Sequence, residues 1–142
     1  MQFQEKVNTQ MNVSLATLLS IRRLLDESNE LSRMCFMGNN SARIKNLILY
    51  KTTVDSVYNE VSVKLNNGEK KLYYKKRAEL FKLPPIIKIR NTSEGRIKVI
   101  DIRAFNKKWK QVRKIDLLVR RLANRYQMLL KDAEGDAAHS LK

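Results

Sequence analysis

Residues 61–74 read VSVKLNNGEKKLYY, and the fold turns on whether they form two strands or parts of two helices. Val61, Val63 and Leu65 alternate with polar residues before Asn67-Gly68, and Leu72 and Tyr74 follow it. An Asn-Gly pair flanked by alternation signals a two-residue hairpin turn, because both central residues of that turn need positive φ. Such a turn sets Val63 opposite Leu72 and Val61 opposite Tyr74. The upstream spacing pulls the other way. Ile44, Leu47, Lys51, Val54, Tyr58, Val61 and Leu65 recur at intervals of three and four, a helical seam with a charge at Lys51. β-Branched residues accumulate after Thr52. The reading adopted is a helix to about Asn59 followed by a hairpin. The competing reading is one long helix, a turn, and a short helix through Phe81.

Upstream, a helix is predicted from about Thr9 to Met37. Met11, Leu15, Leu18, Leu25, Met34 and Met37 fall near one stripe, widened by Leu19, Ile21, Leu24 and Leu31. Gly38-Asn39-Asn40 stops it, since glycine tolerates the left-handed conformation that ends helices. Ser41 suits the cap of the next helix.

Downstream, Pro84-Pro85 ends whatever precedes it, because neither residue donates a backbone hydrogen bond. IIKIRNTSEGRIKVIDIR (86–103) alternates apolar and basic residues around a polar five-residue connection. It predicts a β-hairpin, Ile86–Arg90 with Arg96–Arg103. The phase slip at Val99-Ile100 implies a bulge or burial of both faces. The last element is a helix from about Asn106 to Ala133, with Phe105, Trp109, Val112, Ile115, Val119, Leu122, Tyr126 and Leu129 in heptad-like spacing. The acidic segment DAEGDAAHSLK is expected to leave the helix at Gly135. The fold class is therefore α+β: two N-terminal helices, one or two basic β-hairpins, and a long C-terminal amphipathic helix. One domain covers 1–135, and 136–142 form a short acidic tail.

The 142 residues suffice for one core without disulfides or metals. An apolar share of 43% is that of a globular chain. Charge is the outlier, with 29 Lys and Arg against 14 Asp and Glu, a net of +15. Residues 1–68 hold 8 basic and 6 acidic groups, whereas residues 69–131 hold 20 basic and 5 acidic. The helical half is nearly neutral and the second half carries the excess. Within it, KKWKQVRKIDLLVRRLANRYQ (107–127) has eight cations and one carboxylate, Asp116.

Such a pattern predicts an anionic partner. Lys107, Lys110, Lys114, Arg121 and Arg125 fall opposite the apolar face of the last helix, in a stripe roughly 60° wide and about 27 Å long. Such a row can track a sugar-phosphate backbone. The hairpin adds Lys88, Arg90, Arg96 and Lys98. KKLYYKKR (70–77) adds Lys70, Lys71, Lys75, Lys76 and Arg77, with Tyr73 and Tyr74 as a stacking surface for bases. The plain alternative is a solvated face, but such faces ordinarily mix both signs. Met34, Phe36 and Met37 in RMCFMG (33–38) read either as helix-end core or as a soft docking patch for a partner.

Catalysis finds little support. The single histidine, His139, lies in the tail, and Cys35 is the only cysteine. A zinc site of the usual composition, or a Ser-His-Asp arrangement, cannot be built from them. No Gly-rich phosphate loop occurs. Asp101 and Glu94 are the best candidates for a metal-dependent nuclease, yet IDIR is a common strand pattern and Asp101 more simply pairs with a nearby Arg. No cofactor and no metal are expected.

The N-terminus MQFQEKVNTQ lacks the pattern of a signal peptide, and the uncharged run Val7–Ile21 is too short and polar to cross a bilayer. A cytoplasmic, nuclear or virion-associated protein is expected, neither secreted nor membrane-bound. Helix-turn-helix, zinc-finger, RRM and KH signatures are missing, so backbone contact is expected rather than base reading. The expectation is a non-enzymatic basic nucleic-acid-binding protein of a ribonucleoprotein or a phage or viral particle. The alternative is an assembly or regulatory protein, such as a viral structural or scaffold protein or an inhibitor, docking its basic surface on an acidic protein partner.

Overall fold

The computed structural model describes the backbone of residues 2–140 and the side chains of residues 15–127. The side chains of Met11, Leu129 and His139 lie outside the described residues. The elements are α1 (Gln2–Met34), α2 (Asn40–Val61), a 3-10 turn (Ser62–Lys64), α3 (Asn67–Phe81), β1 (Ile87–Thr92), β2 (Gly95–Ile100) and α4 (Ile102–Ser140). The class is α+β, with one hairpin rather than two.

The first departure from the sequence reading is at residues 61–74, which are helical. Asn66, not Asn67, is the residue that matters. Its side chain accepts from the Glu69 amide at 2.9 Å, while the Glu69 carboxylate accepts from the Asn66 amide at 3.1 Å. This reciprocal capping box satisfies two amides at the start of α3. Gly68 then sits in the first helical turn, without the positive φ that a hairpin would demand. The alternation of Val61, Val63 and Leu65 does not mark one face: Val61 ends α2, Val63 lies in the 3-10 turn and Leu65 follows it. Val61 and Leu65 are buried, whereas Val63 is exposed.

The α1–α2 junction also departs in detail. Gly38 has φ +80 and makes the stop, as its lack of Cβ allows. The cap is Asn39 rather than Ser41: its side chain accepts from Ala42 N at 2.9 Å. The buried seam of α1 runs Leu18, Ile21, Leu25, Ser28, Ser32 and continues to Cys35 just past its end, with Leu25 half-covered, Leu15 exposed, and Met37 exposed beyond the helix. Ser28 and Ser32 are polar residues within that seam. Each hydroxyl donates to a carbonyl three residues back, which satisfies it inside the core.

Core residues from all four helices meet in one cluster. Tyr50, Val54, Val57 and Val61 of α2 face Val112, Ile115, Val119 and Leu122 of α4, with Ile21 from α1 and Tyr73 and Leu80 from α3. A polar network crosses this core. Asp116 is 1% exposed and accepts from Tyr50 at 2.6 Å, Arg113 at 3.0 Å and Arg120 at 2.9 Å. Burial, then the hydrogen bond to Asp116, pushes the Tyr50 hydroxyl far above its ordinary value. Arg120 also donates to the Leu25 carbonyl and to Ser28, fastening α1 to α4. Trp109 donates to the Ser32 carbonyl, and Gln111 donates to the Lys76 carbonyl. The lone acid of the 107–127 stretch is thus consumed by the fold, with two of its cations.

The hairpin has a two-residue turn, Ser93-Glu94, instead of a five-residue connection, and an unbroken register from Ile87↔Ile100 to Thr92↔Gly95. There is no bulge. Val99 and Ile100 are both half-buried, which accounts for their broken alternation. Ile102 and Arg103, read as strand, open α4. Asp101 explains this: its side chain accepts from Ala104 N at 3.2 Å and caps the helix. α4 also continues through Gly135 to Ser140, where the sequence suggested a departure at Gly135.

Candidate phosphate-binding surface

α4 lies against α2, α3 and α1. Its remaining side is open, and the open positions repeat with intervals of four and three: Arg103, Lys107, Lys110, Lys114, Leu117, Arg121, Asn124. All seven are exposed. At ~100° per residue they stay on one edge, and from Arg103 to Arg121 they extend about 27 Å. None of the five cations has a carboxylate partner among the described residues. The seam is not uniform, since Leu117 interrupts it with an exposed apolar side chain.

Four of the five cations expected on this helix lie in the seam. The fifth, Arg125, turns toward α3 and pairs with Glu69 at 2.6 Å. That contact, with the Asn66 amide, holds the Glu69 carboxyl below its ordinary range. Arg125 is therefore part of the α3–α4 junction. Arg103 takes its place. Sequence reasoning missed it by starting the helix four residues late, and the Asp101 cap was the signal that could have found it.

The hairpin cations divide. Lys88 pairs with Asp101 at 2.6 Å, which with the Ala104 amide lowers the Asp101 carboxyl. Arg90, Arg96 and Lys98 are exposed, with no carboxylate partner among the described residues. Register decides how they are displayed. Arg90 faces Ile97 across the ladder and Lys98 faces Ile89, so each face of the ribbon mixes cations with exposed aliphatics. The sheet has no dry side, and its strands stand largely in solvent. Asp101 is thus a helix cap and an ion-pair partner. Glu94 sits in the turn, and no group of three or more metal-ligating residues forms among the described residues.

On α3 the helix splits what a strand would have kept together. Tyr73 is buried. It stacks on Tyr58 with centroids 3.5 Å apart, and its hydroxyl donates to Asp55 at 2.6 Å. It is not a platform for bases. Tyr74 remains exposed, edge-on to both rings. Arg77 pairs with Asp55 at 2.9 Å and is half-buried, so it too is structural. Lys75 is exposed, two positions and about 200° from Tyr73. Lys76 is half-buried and lends its carbonyl to Gln111.

The RMCFMG stretch is mostly tied down. Phe36 meets Phe105 and Trp109 edge-on, although half of it stays exposed. Met34 is half-buried, and its carbonyl accepts from Asn46. Met37 is exposed. Arg43 donates to the Cys35 carbonyl and lies 4.7 Å over the Phe105 ring. Burial pushes the Cys35 thiol up to about 11.

Among the described residues no helix is long and apolar enough to cross a membrane. Compared with known protein families, curated proteins and solved structures, the chain matches none.

Proposed function

We propose that this chain is a non-enzymatic nucleic-acid-binding protein that holds the phosphate backbone along the open seam of α4, as a component of a ribonucleoprotein or of a phage or viral particle. The observation that carries this reading is the row Arg103, Lys107, Lys110, Lys114, Arg121, a line of cations with no carboxylate partner among the described residues. A face needed only for solubility would intersperse both signs. Elsewhere on the same helix the fold matches charge carefully, at Arg113, Arg120 and Arg125. Arg90, Arg96 and Lys98 would extend the contact from the hairpin.

Five neutralised phosphates release counterions, so log K should fall against log salt with a slope of about −4 to −5 on a duplex and about −3.5 on a single strand. Fluorescence anisotropy with a labelled duplex and a labelled single-stranded RNA, between about 50 and 200 mM salt, measures it. Lys114→Glu with Arg121→Glu should weaken all sequences alike. A slope near zero, or no binding at about 50 mM salt, overturns the reading. Leu117, apolar and exposed within the seam, favours a second reading in which the same edge docks on an acidic protein surface. Purification without nuclease separates the two: a defined protein partner and a low 260/280 absorbance ratio support the second.

A further inference from the structure

A cleft of about 360 Å³ opens between the first half of α2, residues 85–87 and the N-terminal turns of α4. Ile44 and Ile48 of α2, Ile87 of β1 and Val112 of α4 give it an aliphatic wall. Two ammonium groups line the same cleft, Lys51 from α2 and Lys108 from α4. Neither has a carboxylate partner among the described residues. Lys108 does not belong to the open seam: it is half-buried, about 100° around the helix from Lys107. Burial first, and the charge of Lys51 second, lower its affinity for a proton. The fold therefore holds two like charges beside an apolar wall; the Phe81 ring, 5.0 Å from Lys51, offsets part of the cost, and an anion between the two ammonium groups would offset more.

Cavities of this size fall in the range that accepts small molecules, recognised by apolar walls and a few placed polar groups. A phosphodiester would leave the aliphatic wall uncovered, and a neutral hydrocarbon would leave Lys108 unmatched and Lys51 with only the Phe81 ring face, 5.0 Å away. We propose that this cleft binds a small amphipathic carboxylate, with its chain against Ile44, Ile48 and Ile87 and its head between Lys51 and Lys108. The site is independent of the phosphate-binding seam, and either can fail without the other.

The test titrates sodium decanoate into the full chain, followed by isoleucine methyl shifts and by calorimetry. Decyltrimethylammonium supplies the same chain with the opposite charge, and propionate the same head without the chain. Decanoate should shift the Ile44, Ile48 and Ile87 methyls and bind at least about tenfold tighter than either control, since each buried methylene adds roughly fourfold. Lys51→Gln with Lys108→Gln should weaken it about tenfold. Ile48→Asp, at a position that is 60% exposed and so tolerant of substitution, should do the same by placing a carboxylate in the cleft. No methyl shift up to about 1 mM, equal binding of the ammonium probe, or full affinity in variants that keep the parent melting temperature overturns the proposal.

Discussion

Asp116 shows how one side chain can be misjudged from its neighbours. In the sequence it is a lone acid among cations. In the fold it is the acceptor for a phenol and two guanidiniums. Asp116→Ala leaves Tyr50, Arg113 and Arg120 without their acceptor. The expected loss is about 2–4 kcal/mol in urea unfolding, below the cost of breaking a fully buried pair. The discount reflects Arg113, which keeps 36% of its side chain in solvent. Cys35 offers a second check. It is fully buried and its thiol is raised to about 11, so it should resist thiol reagents at neutral pH until the chain unfolds. Native-state labelling as fast as that of the denatured protein would contradict this. Legibility at this scale followed the partner. That Asp101 pairs with a cation was readable because few acids compete for so many cations, but the partner is Lys88 across the hairpin and not the expected Arg. The burial of Tyr73 was not, since its stacking mate Tyr58 and its acceptor Asp55 lie on another helix.

At the scale of elements, the decisive test is Gly68. On a hairpin its positive φ would make alanine costly. In the first turn of α3 an added Cβ meets only the Asn66 side-chain oxygen at 3.4 Å. Gly68→Ala should therefore leave stability unchanged or raise it by roughly 0.5 kcal/mol, read from the melting temperature. A clear loss would restore the strand reading. The helix was legible in part. Asn66-x-x-Glu69 is a capping-box signature, but the Asn-Gly pair beside it carries a stronger local signal, and packing on α4 decides between them. That a hairpin forms here was legible because Pro84-Pro85 isolates it, but its turn is two residues and not five. Its end was misplaced because Asp101 looks like a strand residue and acts as a cap. Both capping acids, Glu69 and Asp101, have lowered carboxyls. A depressed folded value means that stability is present above the ordinary carboxylate range and lost as pH falls through the folded one. Glu69→Gln with Asp101→Asn should thus lower the melting temperature most above the ordinary carboxylate range of about pH 4–5, with the difference shrinking as pH falls below it.

For the whole molecule, the near-neutral half and the buried face of α4 build the core, while the open edge of α4 keeps its charges unmatched. Such an edge repels itself. Lys110→Glu would place an acid three residues from Lys107 and four from Lys114, and should add about 0.3–1 kcal/mol to stability at low salt. Under the proposed function the same change should weaken duplex binding, so stability and affinity would move in opposite directions. A charge row that served only the fold would not show that opposition. Where the charge sits was legible from the sequence, because a helical period sorts residues by face. Which helix cations the fold absorbs was not, because Asp55 and Glu69 reach Arg77 and Arg125 from other helices. Under the proposed function the straight edge from Arg103 to Arg121 would also act as a ruler. At 3.4 Å per step it matches about eight base pairs of duplex. Oligonucleotides of increasing length should gain affinity stepwise up to that footprint, then only in proportion to the added number of overlapping registers.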